Sequence, residues 1–183
     1  MPIEIIEAGW SAPRQVRALC TTRQGGASSK PYDSLNLAPH VGDDAGNLAR
    51  NRELIRQSLN LPGEPCWLKQ THSTDVVQLD CDNNRTADAA ISGRPDTIAV
   101  VMVADCLPIL LCNRAGTEVA AVHAGWRGLV DGVVQAAVQQ MESTPDELLA
   151  WIGPAISQPA FEVGEEVRNQ FLARYNRADE RFV

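Results

Sequence analysis

No run of consecutive lysines or arginines occurs in the 183-residue chain, and its formal net charge at pH 7 is -7. A protein that tracks the phosphates of DNA or RNA needs a basic footprint, so polymeric nucleic acid is not an expected partner. A small phosphate ligand stays open, because a few local arginines suffice to bind it. Long apolar runs are missing as well. The most apolar stretch, Ile98 to Cys112, is interrupted by Asp105 and Pro108 and falls short of the roughly 20 residues of a membrane span. It reads as buried core, and no membrane partner is expected. The start, MPIEIIEAGW, has Glu4 and Glu7 where an export signal carries basic residues, which points to a cytoplasmic protein. Five cysteines, Cys20, Cys66, Cys81, Cys106 and Cys112, form an odd, irregularly spaced set rather than a disulfide framework. Each is expected to be reduced, as a packing residue or a chemical one.

What is present describes an ordinary globular chain, with 44% apolar and 21% charged residues and enough length for one domain with a real core. Without repeats or linkers, residues 1–183 read as a single domain. Gln15 to Thr22 reads as a strand, followed by a long polar loop, RQGGASSKPYDSLNLAPH. From Asn47, which can cap it, a helix presents Leu48, Ile55 and Leu59 on one face and stops at Leu61-Pro62-Gly63. Strands are expected at Cys66 to Lys69 and Asp75 to Leu79. The β-rich run Ile98 to Val103 is expected to be the central strand. Ile109 to Cys112 and Val119 to His123 flank the hairpin connection NRAGTE. A helix over Leu129 to Met141, a strand ending at Trp151-Ile152 and a helix over Val163 to Tyr175, with Val167 and Phe171 inward, complete the pattern. Hairpin-linked strands mixed with helices, without regular βαβ alternation, give an α+β fold with mixed sheets and flanking helices.

The chain has three histidines, and two of them, His72 in KQTHSTD and His123 in AVHAGWRG, stand beside expected strand ends. Cys106, in VADCLPILLC, follows the expected central strand, so these three side chains can converge at one edge of a sheet. A Cys/His/His set leaves a fourth zinc position open, as catalytic zinc requires. Their wide separations match no short zinc motif, and Cys106 alone reads equally well as a buried small hydrophobe. Spacing leaves the metal one alternative among others. Arg23 and Arg127 offer forked, charge-assisted hydrogen bonds to a phosphate, or surface ion pairs. Asp88 could orient a histidine or act as acid and base. Asn36 and Gln70 suit ribose or base edges, or fix loops, and Gly25 and Gly26 permit a close backbone approach to a ligand or form a turn.

Five stretches taken together, TTRQGGAS, SLNLAPHVGDD, KQTHS, ADCLPILL and AVHAGWRG, resemble the YfiH family. Its members are also called laccase-domain or polyphenol-oxidase-like proteins, and purine nucleoside phosphorylases or peptidoglycan-editing factors. The resemblance runs on through WIGPAISQPAFEVGEEV and covers essentially the whole chain. Family chains usually continue further, with another cysteine-containing stretch and a late pair of arginines, so the domain is expected to lack that segment.

The resemblance implies that His72, Cys106 and His123 hold zinc. It implies phosphorolysis of adenosine, inosine or methylthioadenosine, with adenosine deamination as a related activity, and so a nucleoside and phosphate as partners. Cys106, Arg127 and Asp88 are then the candidate catalytic residues, and Arg23, Asn36 and Gln70 the candidate substrate-binding ones. Two alternatives follow from the same family: a hydrolase with Cys106 as nucleophile and His123 as base, and an editing enzyme acting on a muropeptide precursor. Copper-dependent phenol oxidation, which Met102 near Cys106 would suit, needs more imidazoles than three.

Overall fold

In the computed structural model, which describes residues 2–182, the two apolar runs around NRAGTE form the expected hairpin. Strands β5 (Leu107–Asn113) and β6 (Val119–Ala124) pair antiparallel, from Leu107 opposite Ala124 to Cys112 opposite Val119. Asn113 closes the turn: its side-chain oxygen accepts the Thr117 N–H, and Gly116 takes a positive φ of 70°. Three further strands complete a five-stranded sheet, β3 (Val76–Gln78), β4 (Ala89–Ser92) and β7 (Leu148–Ile152), in the order β3-β4-β6-β5-β7. Only β3 and β4 run parallel.

Period-two alternation gives each face of this sheet its own core. Ala89, Ile91, Ile109, Leu111, Val122 and Ala124 pack against Val133, Ala137 and Met141 of the following helical segment. On the other face Ala90 and Val77 pack with Leu68 and Ala87, with Ala99 and Val101 beside them. The abundance of alanine in β4 and β6 lets the helix lie close to the sheet.

Several expectations are corrected here. The central strand is β6, and Ile98 to Val103 does not form a strand. It runs extended with a single bridge, Ala99 to Cys66, so its apolar side chains cover a sheet face instead of joining the sheet. Cys66 to Lys69 likewise contributes only isolated bridges. The helix expected over Leu129 to Met141 is two helices, α2 (Trp126–Asp131) and α3 (Val133–Gln140), broken at Gly132 with φ of 101°. Of Gln15 to Thr22 only Leu19–Thr21 is a strand, β2, paired antiparallel with β1 (Ile5–Glu7).

This small sheet packs through Ile5 and Leu19 near Ile55 and Leu59 of α1 (Ala45–Ser58) and its C-cap. Helix α1 starts two residues before Asn47, and its cap is Asp44, whose carboxylate accepts the Asn47 N–H at 2.9 Å. The last helix, α4 (Glu165–Arg174), buries Val167. Phe171 is only half-buried, against Tyr175 and Phe182. Among the described residues no helix is long and apolar enough to cross a membrane. Sheets of mixed direction flanked by helices make the fold α+β.

Candidate metal centre

Three segments of the chain meet at one end of the β5–β6 hairpin. His123 is the next-to-last residue of β6, opposite Pro108. Because its neighbours Val122 and Ala124 face α3, its imidazole lies on the other side of the sheet. Cys106 immediately precedes β5, and His72 sits on the loop before β3. One ligating atom from each of His72, Cys106 and His123 lies within 4.8 Å of the other two. Tetrahedral zinc with two nitrogens and one sulfur holds ligand atoms roughly 3.3–3.8 Å apart, so the set stands close to coordination distance, with His72 the exposed member of the three. The two imidazoles meet edge to face, with ring centroids 4.8 Å apart.

Asp88, just before β4, organises the set. Its buried carboxylate lies 2.7 Å from His123 Nδ1 and accepts three successive backbone N–H groups, Thr71 at 3.1 Å, His72 at 3.0 Å and Ser73 at 2.7 Å. The Thr71 and Ser73 hydroxyls donate to it as well. All its neighbours are donors, so the Asp88 carboxylate holds the His123 ring and the His72 backbone in place and has no open lone pair. Burial alone would push its carboxyl up, but the bond with His123 and those from Ser73 and Thr71 outweigh this and hold it below the ordinary carboxylate value.

Burial drives the His123 pKa down against the pull of Asp88, which favours the neutral imidazole. An ionised Asp88 only accepts, so Nδ1 carries the hydrogen and Nε2 offers its lone pair. Burial, with the Asp105 and Asp88 charges, pushes the Cys106 thiol up. The donor set therefore suits a divalent metal: the imidazole is ready, and the thiol gives up its proton when a cation takes that proton's place.

Two residues of the site escaped sequence reasoning. A Cβ at Gly125, which caps α2, would stand 2.7 Å from His72 Cδ2 and 3.1 Å from Cys106 Sγ, so the glycine leaves room for two ligands. A Cβ at Gly128 would come within 3.0 Å of the Ser73 carbonyl. The signal lies in HAGWRG, two glycines at i and i+3 that begin two residues after a candidate ligand histidine.

The other expected site residues divide. Arg127, in the first turn of α2, is exposed, with its guanidinium 4.3 Å over the Trp126 ring. Among the described residues it has no carboxylate partner. Arg23 is bound to its own loop, donating to the Asp33 carbonyl at 2.6 Å and facing the Asp33 carboxylate at 3.5 Å. Asn36 spends its amide on Ala38 and Asp43, and Gln70 spends both ends of its amide on the Met102 backbone. Gly25 and Gly26 pack against the chain itself: a Cβ at Gly26 would lie 2.1 Å from the Ser34 carbonyl.

Residues 17–183 match the family model described as multi-copper polyphenol oxidoreductase laccase. The chain is 48% identical over 182 residues to a protein of Escherichia coli K12 named purine nucleoside phosphorylase YfiH, covering 98% of this chain and 75% of that one. Among solved structures, a Neisseria meningitidis protein of family DUF152 superposes with a TM-score of 0.91 at 45% identity, covering 97% of this chain and 73% of that one. A Bacillus licheniformis hypothetical protein, YfiH, gives a TM-score of 0.83 at 27% identity, covering 91% and 68%.

Proposed function

The chain belongs to the family described as multi-copper polyphenol oxidoreductase laccase, whose named relatives include purine nucleoside phosphorylases, and on that premise we propose that it is a zinc-dependent purine nucleoside phosphorylase. Adenosine, inosine and methylthioadenosine are its substrates in this reading, with adenosine deamination as a second activity. The observation that carries it is the convergence of His72, Cys106 and His123 around the carboxylate of Asp88.

Zinc held there by His72, Cys106 and His123 would supply a Lewis acid. His123 and His72 would each present a ring nitrogen and Cys106 its thiolate, while Asp88 holds the His123 ring and the His72 backbone. In phosphorolysis a phosphate oxygen forms a bond to ribose C1′ as the bond from C1′ to the base nitrogen breaks, and the departing base takes up a proton. Positive charge develops on the ribose, so a positioned phosphate assists. Arg127 is the residue we assign to that phosphate, since its fork is exposed and, among the described residues, free of a carboxylate. Arg23, Asn36 and Gln70 act through the loops they hold. Zinc is favoured over copper because Met102 turns its sulfur to the Arg52 guanidinium at 4.0 Å, which removes the weak axial ligand of an electron-transfer copper site.

A second reading has a specific observation behind it: Cys106, His123 and Asp88 also follow the order of a nucleophile, base and orienter, suited to a hydrolase or to editing of a muropeptide precursor. The raised thiol pKa weighs against it. The test is product chromatography with adenosine and inorganic phosphate, on zinc-loaded and chelator-stripped protein and on Cys106→Ala and His123→Ala. Phosphate-dependent release of adenine, lost on stripping and in both variants, is expected. Full activity in metal-free protein that alkylation of Cys106 abolishes would replace the proposal with the hydrolase.

A further inference from the structure

The metal centre has three edges, one between each pair of ligand-bearing segments. The edge from Cys106 to His123 is closed by the β5–β6 register, with Leu107 opposite Ala124 and Pro108 opposite His123. The edge from His72 to His123 is closed by Asp88, which takes the His72 N–H and His123 Nδ1 on the same oxygen. The third edge joins the His72 segment to the one leading into Cys106, and no strand pairing spans it. Those two segments share one bridge, Cys66 to Ala99, and beyond it the chain from Val101 to Cys106 is irregular.

One side chain takes over where backbone pairing stops. Gln70, two residues before His72, donates from Nε2 to the Met102 carbonyl at 2.8 Å and accepts the Met102 N–H on Oε1 at 2.7 Å. A primary amide offers a donor and an acceptor side by side, so it can pair with one residue's N–H and C=O much as a neighbouring strand would. Among the described residues it is the only hydrogen-bonded link between these segments beyond the Cys66 bridge. The Met102 side chain is held in turn, its sulfur against Arg52, which also donates to the Leu37 carbonyl and stacks 4.1 Å over Trp67.

We infer that Gln70 is a positioning residue for the metal: its amide closes the His72–Cys106 edge and sets the gap that the cation must bridge. This rests on the metal reading above. Without the clamp, His72 keeps its tie to Asp88 and Cys106 keeps the sheet, and the cation alone must draw the two together. The fold survives and the site loosens.

Cobalt(II) is the probe, since its thiolate charge-transfer and ligand-field bands report the ligand set directly. The parent chain is compared with Gln70→Met, which keeps the side chain's bulk and loses both hydrogen bonds, with Gln70→Ala, and with Val167→Ala in α4 as a destabilised control. Expected for Gln70→Met are a roughly tenfold weaker cobalt affinity, by analogy with outer-shell changes at metal sites, altered band positions, and faster hydrogen exchange at the Met102 amide in the metal-free protein. Val167→Ala should keep the parent's affinity and spectrum whatever its melting temperature. If Gln70→Ala does not fold, Gln70→Met decides. Parent-like affinity and bands in Gln70→Met would overturn the inference and leave the metal reading standing. Failure of the parent itself to give a thiolate-to-cobalt band would overturn both.

Discussion

Asp88 and Asn51 are both fully buried polar side chains, each 0% exposed, and each gathers an irregular stretch of backbone around itself with opposite hydrogen-bonding chemistry. Asp88 meets only donors: three successive N–H groups, two hydroxyls and an imidazole. Asn51, on α1, meets both kinds. It accepts the Ala27 N–H at 2.7 Å and donates to the Ser28 hydroxyl and the Ser34 and Asn36 carbonyls, pinning the loop between β2 and α1. A carboxylate suits a ring of donors, and an amide suits a loop that offers donors and acceptors. Only the charged hub touches a candidate ligand, so it alone ties the fold to the chemistry.

Asp88→Ala strikes this contrast hardest. Three N–H groups and His123 Nδ1 lose their acceptor, so stability should fall by about 3–5 kcal/mol in urea denaturation and zinc affinity roughly 10–100-fold by competition titration. Unchanged zinc affinity would remove Asp88 from the centre. Asn51→Ala is next, at about 2–4 kcal/mol from the groups left unpaired, with zinc affinity unaltered. A parallel loss of zinc would show that the loop reaches the centre and would erase the contrast.

One substitution made in both regions sharpens it further. In Gly26→Ala the new methyl meets backbone, 2.1 Å from the Ser34 oxygen and 2.4 Å from Leu35 Cα, and should cost about 1–3 kcal/mol of stability with no effect on metal. In Gly125→Ala it meets His72 and Cys106 side chains, which can swing aside. Zinc affinity should drop there while the denaturation midpoint stays near the parent's, and the reverse pattern would contradict both assignments.

Acid should separate the hubs with the smallest effect. The folded His123 pKa lies below the ordinary value of about 6.5, so below that pH the unfolded imidazole binds a proton that the native one resists, and metal-free stability declines. Asp88 is held below the ordinary value of about 3.9, so its contribution is complete above that pH and is lost as pH falls through the folded value. Asn51→Ala should keep the parent's acid profile, displaced downward, and Asp88→Asn should flatten it below about pH 4. Identical profiles for the parent and Asp88→Asn would exclude this linkage.

The hairpin and the outer helices were legible because their residues obey one rule at a time, apolar runs flanking a turn in β5 and β6 and a helical stripe in α1. Ile98 to Val103 was misread because apolar β-branched residues announce burial, while pairing depends on which neighbour offers a free edge. Gln70 occupies part of that edge with a side chain, and the alanines of β4 and β6, modest strand formers, take the middle of the sheet. The meeting of His72, Cys106 and His123 was suggested by strand ends and by resemblance. Asn51 stayed hidden because a polar residue in an amphipathic helix looks like surface until the partner loop is seen to close over it, whereas Gln70 was expected to meet ribose or base or to fix a loop, and its amide holds the Met102 backbone.

His72 carries a φ of 60°, a left-handed conformation that disfavours any side chain beyond glycine by roughly 1–2 kcal/mol. Backbone strain alone would favour glycine here, so the histidine costs the metal-free fold some stability. A His72→Gly chain that melts above its metal-free parent and no longer takes up zinc would display that trade. At this position loss of a candidate ligand and gain of metal-free stability would be the same event.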